Sequence, residues 1–541
     1  MAMRRTAGRL NLRKTNRYRT GTGRALEPAT GPEGLYLEPL NDPRRGNSYP
    51  ARSGHWQPTI RGEPSPFKGN ALVVGGGVVG AATASMFALR GWHTTLVDEQ
   101  PAECDDAKLC GLETVLITRR SLDCLHVAGV RKEALVAIGH KVVGIMDHPG
   151  SVSTFLTKGL SEQSMFPVNM LTVDLKMLRQ SAIMTLQAVP HRNAKVFHSH
   201  KVVAIIPGAK TAVVKPLVEE HAAVAPDAEA NTEEKGVVIA GRRFEDNVEG
   251  ITYDVMIGAD GLDSTTRRLL DFPGQVRMHE SYSEKWFQVR GATHLDMSCV
   301  QRWCHKFNRE TDPSKGLGVV IAFPRNDEGE FSVFAHMPRS ILEAMGPEEF
   351  VANWAPEMLK TANDTVVVDP DRVSRIRPAY TLYNEDLCDA HHDFPSILLV
   401  GDAAHYRNPF LMEGLSCALE DASNAVNNID TVGQSLWDCV RQYSRERGYS
   451  GDCLRMITER SLHYAKARHY NPILRLRNWY THFMHYMCPR SIQEYYSTVH
   501  NYMFPRPMEQ MLRGRGYASY EDADHAQFRS NRWWALGRLF T

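Results

Sequence analysis

The stretch that most restricts the fold is NALVVGGGVVGAATASMFALRGWHTTLVD, residues 70–98. A short apolar strand over Ala71–Val74 runs into three glycines. A helix follows from there to about Arg90, Gly91 turns the chain, and a second strand over Thr94–Val97 ends at Asp98. Each part has a separate physical job. Gly75 makes the tight turn, Gly77 lets the backbone approach a pyrophosphate, and Gly80 allows the helix to lie close against the strand. The helix N-terminus offers unpaired N–H groups and partial positive charge to phosphate. Asp98 stands where a carboxylate can accept from ribose hydroxyls. Glycines alone are weak evidence; strand, helix, second strand and terminal acid in register form a dinucleotide-binding β-α-β unit.

The rest of the chain sorts around that unit. Strands are expected at 112–118, 142–146 and 195–206, with a helix over about 174–188. Tyr253–Ile257 is a further strand leading into GADGLDSTTR at 258–267. From about 276 to 384 the strands lengthen and alternate, at 286–293, 317–323 and 330–336, before a helix at about 347–360. This pattern suits an inserted antiparallel sheet with one covered face. Ile397–Val400 is another strand, entering GDAAHYRNPFLMEGLSCALEDA at 401–422. The fold class is therefore α/β: a Rossmann-like nucleotide domain (68–275 and 385–430), an inserted sheet domain (276–384) and a C-terminal helical region (431–541). Residues 217–236 are an Ala/Glu/Pro-rich solvated insertion, and 1–67 an extended leader.

The leader holds the one charge asymmetry in a chain of net charge +1. Arg4, Arg5, Arg9, Arg13, Lys14, Arg17, Arg19 and Arg24 precede the first acid, Glu27. Such composition is that of a mitochondrial presequence; a basic tail and an arm gripping RNA stay open beside it. The cysteines lack zinc-knuckle spacing, so no metal is expected. Cys388, His391, His392 and Asp393 are read as a solvated turn. No apolar run reaches the roughly 18 to 20 residues of a membrane span. The C-terminal WWALGRLF is suited to packing on its own chain or to lying on a membrane surface.

Three motifs in this order, Gly75–Gly80, then 258–267, then GDAAH with Pro409, Gly414 and Asp421-Ala422, resemble the single-component FAD-dependent aromatic hydroxylases of the p-hydroxybenzoate hydroxylase fold. Within them the chain is most similar to the kynurenine 3-monooxygenases. The resemblance implies FAD held by Gly75, Gly77, Gly80, Asp98, Asp260, Gly261, Arg267, Gly401, Asp402 and Gly414, with His405 in the turn against it. It implies NADPH or NADH as reductant and a small aromatic substrate. Pro409, Phe410 and Glu413 would form the loop beside the flavin ring, with Phe410, Leu411 and Met412 as a dry wall. Asn471 and Tyr496 would contact substrate from the C-terminal helices.

The departures are as informative. Met412-Glu413 replaces Gly-Gln beside the ring, and Ser416 stands where the family has Asn. An ionised Glu413 there would oppose the negative charge of reduced flavin, at a cost of about 1 kcal/mol or more. Asp174 stands near the place of an FAD-contacting Arg, where it would face the flavin phosphates unless screened or turned away. Three functions follow. The first is an FAD-dependent monooxygenase acting on an aromatic ring. The second is a catalytically degenerate FAD fold serving as a structural or assembly subunit of a large mitochondrial complex, with or without RNA. The third is a flavin oxidoreductase of another substrate class.

Overall fold

The structure, a computed structural model, describes residues 68–102, 113–142, 144–148, 170–189, 193–217, 236–245, 247–272, 274–306, 317–359, 367–384, 387–388, 395–406, 409–430 and 435–448, with 451, 454 and 458. The leader, the 218–235 insertion, Asn471, Tyr496 and the C-terminal aromatic stretch lie outside the described residues.

A five-stranded parallel sheet anchors the nucleotide half, in the order Ile397–Leu399, Val255–Gly258, Asn70–Val74, His93–Val97, Ala194–Phe197. Its inner strands Asn70–Val74 and Val255–Gly258 are apolar and almost wholly buried, as parallel strands covered on both faces are, while the edge strand Ala194–Phe197 is only part-buried. The helix Val78–Leu89 packs against Leu175–Gln187 on one side and Gly414–Ile429 on the other. Gly80, Ala81, Ala82, Ala84 and Ala88 are buried along it, so no polar stripe survives. A helix covered all round needs none.

The second large sheet runs from His405–Tyr406 through Arg377–Asn384, Gly274–Arg290, Phe331–Pro338, Leu317–Pro324 and Cys299–Lys306 to Gly144–His148. Its last pair is parallel and recruits a strand from before the insertion; Val367–Val373 also pairs with Gly274–Arg290. The sequence suggested one covered face, and the structure corrects this: all eight residues of Phe331–Pro338 are buried. Along Leu317–Pro324, Val319, Ile321 and Phe323 join an inner cluster with Trp286, Phe410 and Leu411. Val320 and Ala322 join an outer one with Phe350 and Val351 of the helix Pro347–Trp354. Two apolar covers erase the alternation that would have marked a solvated face. The expected strand at 195–206 is two strands, broken at His198-Ser199, where Ser199 adopts φ 56°. Among the described residues no helix is long and apolar enough to cross a membrane.

Candidate active site between two helix N-termini

A cavity of about 310 Å³ opens where the two sheets meet. Gly77, Val78 and Val79 line it from one helix start, and Glu413, Gly414 and Leu415 from another. Neither N-terminus is capped by a side chain, and neither first turn holds an acid. Their N–H groups and partial positive charge are thus left for an anion. Leu116, Trp286, Phe323, Phe334, Leu411 and Met412 supply the apolar wall.

The glycines divide as their roles require. Gly75 takes φ 100°, and a Cβ there would lie 2.5 Å from the Ala259 carbonyl oxygen. At Gly80 a Cβ would lie 1.9 Å from the Gly75 oxygen. Both are packing constraints that only glycine meets. By contrast, an added Cβ at Gly77, Gly261 or Gly414 meets nothing within 4 Å, and all three line the cavity. A pyrophosphate with a flavin ring beyond it suits this cradle.

Several expected ligands also serve as braces. Asp98 is buried beside Gly76; its Oδ2 accepts from Arg179 Nη2 at 2.5 Å and its Oδ1 from the Gln100 N–H. It does not line the cavity. Asp260 folds into its own turn, accepting from Ser264 Oγ and the Thr266 N–H. Arg267 donates to the carbonyls of Leu262 and Ala403, tying the 258–267 loop to the 401–405 turn. Its burial draws its pKa down from the ordinary arginine range. Gly401 takes φ 61° and donates its N–H to Asp421 Oδ2, while Asp402 stands exposed at the cavity edge. Asp174, the feared like charge, caps the helix Leu175–Gln187 through the N–H groups of Lys176 and Met177, with Arg325 3.5 Å away.

The ring loop corrects two expectations. Phe410 is fully buried behind the cavity, its ring under the Arg302 guanidinium and its carbonyl accepting from Arg302 Nη1 at 3.0 Å. Leu411 and Met412 alone form the loop's share of the wall. The backbone of Pro409 begins the short 3-10 turn Pro409–Leu411. Met412 holds φ 57°, a left-handed conformation that costs an ordinary residue about 1–2 kcal/mol. Its buried side chain offsets that strain by joining the Trp286–Phe323–Phe334 cluster.

Glu413 does not stand as an isolated charge. Its Oε2 accepts from Arg120 Nη1 at 3.0 Å, and Arg120 Nε donates to Glu420 at 2.6 Å. Arg447 continues the chain to Glu420 (3.5 Å) and Asp421 (2.6 Å), and His405 Nε2 lies 2.6 Å from Asp421. Ser416 joins the same floor through Thr118 and Ser121. Burial would lower the Arg120 pKa; the facing Glu420 and Glu413 overcome it and raise it. Burial likewise would raise Asp421, but His405 and Arg447 hold its carboxyl well below the usual range. Glu420 has the opposite fate, its burial outweighing both arginines and lifting its pKa. His405, Cys417 and Asp421 come within 4.8 Å of one another, as metal ligands would. Arg447 already occupies that spot, against both Asp421 and the Cys417 sulfur, so a cation would meet a guanidinium.

Sequence reasoning missed Arg120, Arg302, Arg447, Arg179 and Tyr406. A signal existed for the first. Glu413 and Glu420 lie seven residues apart on one face of an otherwise apolar helix start, and buried acids demand a cation. Nothing local marked which arginine would answer.

Comparison with known proteins agrees with this geometry. The sequence profile described as FAD binding domain matches residues 68–451. The kynurenine 3-monooxygenase of Caenorhabditis briggsae is 23% identical over 433 residues, covering 78% of this chain and 87% of that protein. The violacein synthase of Chromobacterium violaceum is 22% identical, covering 77% and 90%. Among solved structures, p-nitrophenol 4-monooxygenase from Pseudomonas putida superposes with a TM-score of 0.53 at 14% identity, over 85% of this chain and 98% of that one. Klebsiella pneumoniae HpxO, solved with FAD and uric acid, gives 0.52 at 16% identity over 80% and 97%. At those identities the likeness is one of fold.

Proposed function

The chain belongs to the FAD binding domain family, and from that premise we propose that it is an FAD-dependent monooxygenase that hydroxylates an aromatic ring. O₂ and NAD(P)H are the co-substrates. The balance is one ring C–H plus O₂, NAD(P)H and a proton giving a ring C–OH, water and NAD(P)⁺. Bound FAD supplies the electron transfer to O₂ and the delivery of one oxygen atom.

The observation that carries the proposal is the meeting of two uncapped helix N-termini at one apolar, aromatic cavity. The N–H groups at Val78–Gly80 and the Gly77 backbone suit the pyrophosphate. The Gly414 helix start suits the ring's electron-rich end. The wall of Trp286, Phe323, Phe334, Leu411 and Met412 excludes water from whatever aromatic ring lies beside the cofactor. Arg120 removes the objection raised by Glu413, since that carboxylate's charge is met at 3.0 Å by a guanidinium behind it. The kynurenine relatives support an aromatic substrate. The Arg-rich leader supports a mitochondrial address.

Purified protein supplied with FAD should show the two-banded flavin spectrum and oxidise NADPH or NADH faster when aromatic candidates are added. A protein that stays colourless with FAD in excess would overturn this reading and favour the structural-subunit alternative.

A further inference from the structure

Tyr406 lines the cavity at the edge of the large sheet, opposite Leu382. Its hydroxyl donates to Glu284 Oε2 at 3.1 Å. Glu284 is buried in the strand Gly274–Arg290, and its other oxygen faces His336 Nδ1 at 3.5 Å. The two sit side by side in register, with Tyr282 stacked on the His336 ring. A hydroxyl has one proton. With that proton given to a buried carboxylate, the hydroxyl oxygen has only acceptor capacity left for any group that reaches it from the cavity.

The charges around it point the same way. Asp402 lines the cavity and Glu284 stands behind Tyr406, while Glu413, also in the lining, has its charge met by Arg120. Among the described lining residues there is no lysine or arginine. The nearby cations are engaged elsewhere: Arg120 with Glu413 and Glu420, and Arg377, the other register neighbour of Glu284, with Glu113 at 2.9 Å. Burial, then Glu284 and Asp402, push the Tyr406 pKa well above the ordinary phenol range, against a smaller opposing effect of Arg377.

We propose that Tyr406, set by Glu284, is the specificity-determining residue of this cavity. It selects an uncharged aromatic ring bearing a hydroxyl or amino hydrogen-bond donor, and the surrounding acids exclude a substrate carboxylate. This rests on the monooxygenase reading for the reaction but not for the binding. It sets the chain apart from an enzyme for an amino acid such as kynurenine, which brings a carboxylate with it.

The test is equilibrium dialysis of the full chain, with and without FAD, against three matched probes: 4-ethylphenol, 4-ethylanisole and 4-hydroxyphenylacetate. The phenol should bind about tenfold tighter than its methyl ether, the value of one hydrogen bond to a polar group. The carboxylate should bind at least tenfold more weakly than the phenol. Tyr406→Phe should bring phenol and ether to within about twofold of each other. Glu284→Gln should narrow the gap between phenol and carboxylate, with circular dichroism confirming that the variant folds. Equal binding of phenol and ether to the unsubstituted protein, tightest binding of the carboxylate, or no binding of any probe would overturn the proposal, whatever the variants do. The flavin spectrum recorded alongside separates the two ideas. A colourless protein that still ranks the probes sinks the monooxygenase and keeps the specificity; a yellow protein indifferent to them does the reverse.

Discussion

The helix starting at Val78 and the helix starting at Gly414 present the same backbone chemistry to one cavity, but they are held by different means. The first is fixed by backbone against backbone: a Cβ at Gly75 or Gly80 has nowhere to go. The second is fixed by side chains from elsewhere. Arg302 holds the Phe410 carbonyl, and Arg120 holds Glu413. A strained but buried Met412 carries the turn between them. Steric exclusion tolerates one residue type, whereas a charge or a wall can be rebuilt from distant positions. Gly75 and Gly80 therefore have to stay glycine, while the 409–414 loop can depart from Gly-Gln-Gly and keep its shape.

The sharpest way to break this contrast is Arg120→Met. It takes the guanidinium from Glu413 and leaves Glu420 the longer contact to Arg447 at 3.5 Å, and removing one partner of a buried pair costs about 3–5 kcal/mol. Urea denaturation should show the loss, and adding Glu413→Gln should recover part of it. A change under about 1 kcal/mol would mean that the charge network does not hold the loop. Next is Gly80→Ala, where overpacking against the Gly75 carbonyl should cost about 1–3 kcal/mol or more and release FAD.

Acid sensitivity comes third. The folded-state pKa of Asp421 is depressed below the unfolded value near 3.9. Its stabilisation is therefore complete above that pH and drains away as pH falls below about 4. Glu420, shifted upward, contributes with the opposite sign. Asp421→Asn should flatten the acid limb of a stability-against-pH curve; an unchanged limb would remove Asp421 from its cause.

Smaller still is Met412→Gly. Relief of about 1–2 kcal/mol of left-handed strain is set against the loss of about 1.5–3 kcal/mol of side-chain burial. A melting temperature within a few degrees of the parent is expected, and a large fall would show that burial dominates. Least of all on stability is Gly77→Ala, whose Cβ points into open space. It should leave the melting curve in place, within about 0.5 kcal/mol, while weakening FAD retention. Unchanged FAD binding would contradict the phosphate role of this backbone.

How much of this was legible follows the same division. The β-α-β unit could be read because tight turns and close packing write themselves as glycine at fixed spacing. Gly77, Gly261 and Gly414, expected as cofactor contacts, line the cavity, and Leu411 and Met412 form part of its wall. Asp98, Asp260 and Arg267 were recognisable as motif positions but not as braces, since bracing depends on where Arg179, Ser264 and Ala403 arrive in space. The strand Cys299–Lys306 went unseen because Gln301 and Arg302, both buried, interrupt its apolar pattern. Tyr406 drew no reading, because nothing local reveals a carboxylate 122 positions away.

The hydrogen bond from Arg267 to Ala403 bridges 136 positions of chain and closes the loop through which the second sheet is inserted. Its effect resembles that of a keystone. With the two roots of the insertion pinned together, strain created by rebuilding the sheet above them is not passed down to the phosphate cradle. New ring-binding preferences can then be tried on that sheet, Glu284 among them, without renegotiating how the nucleotide is gripped.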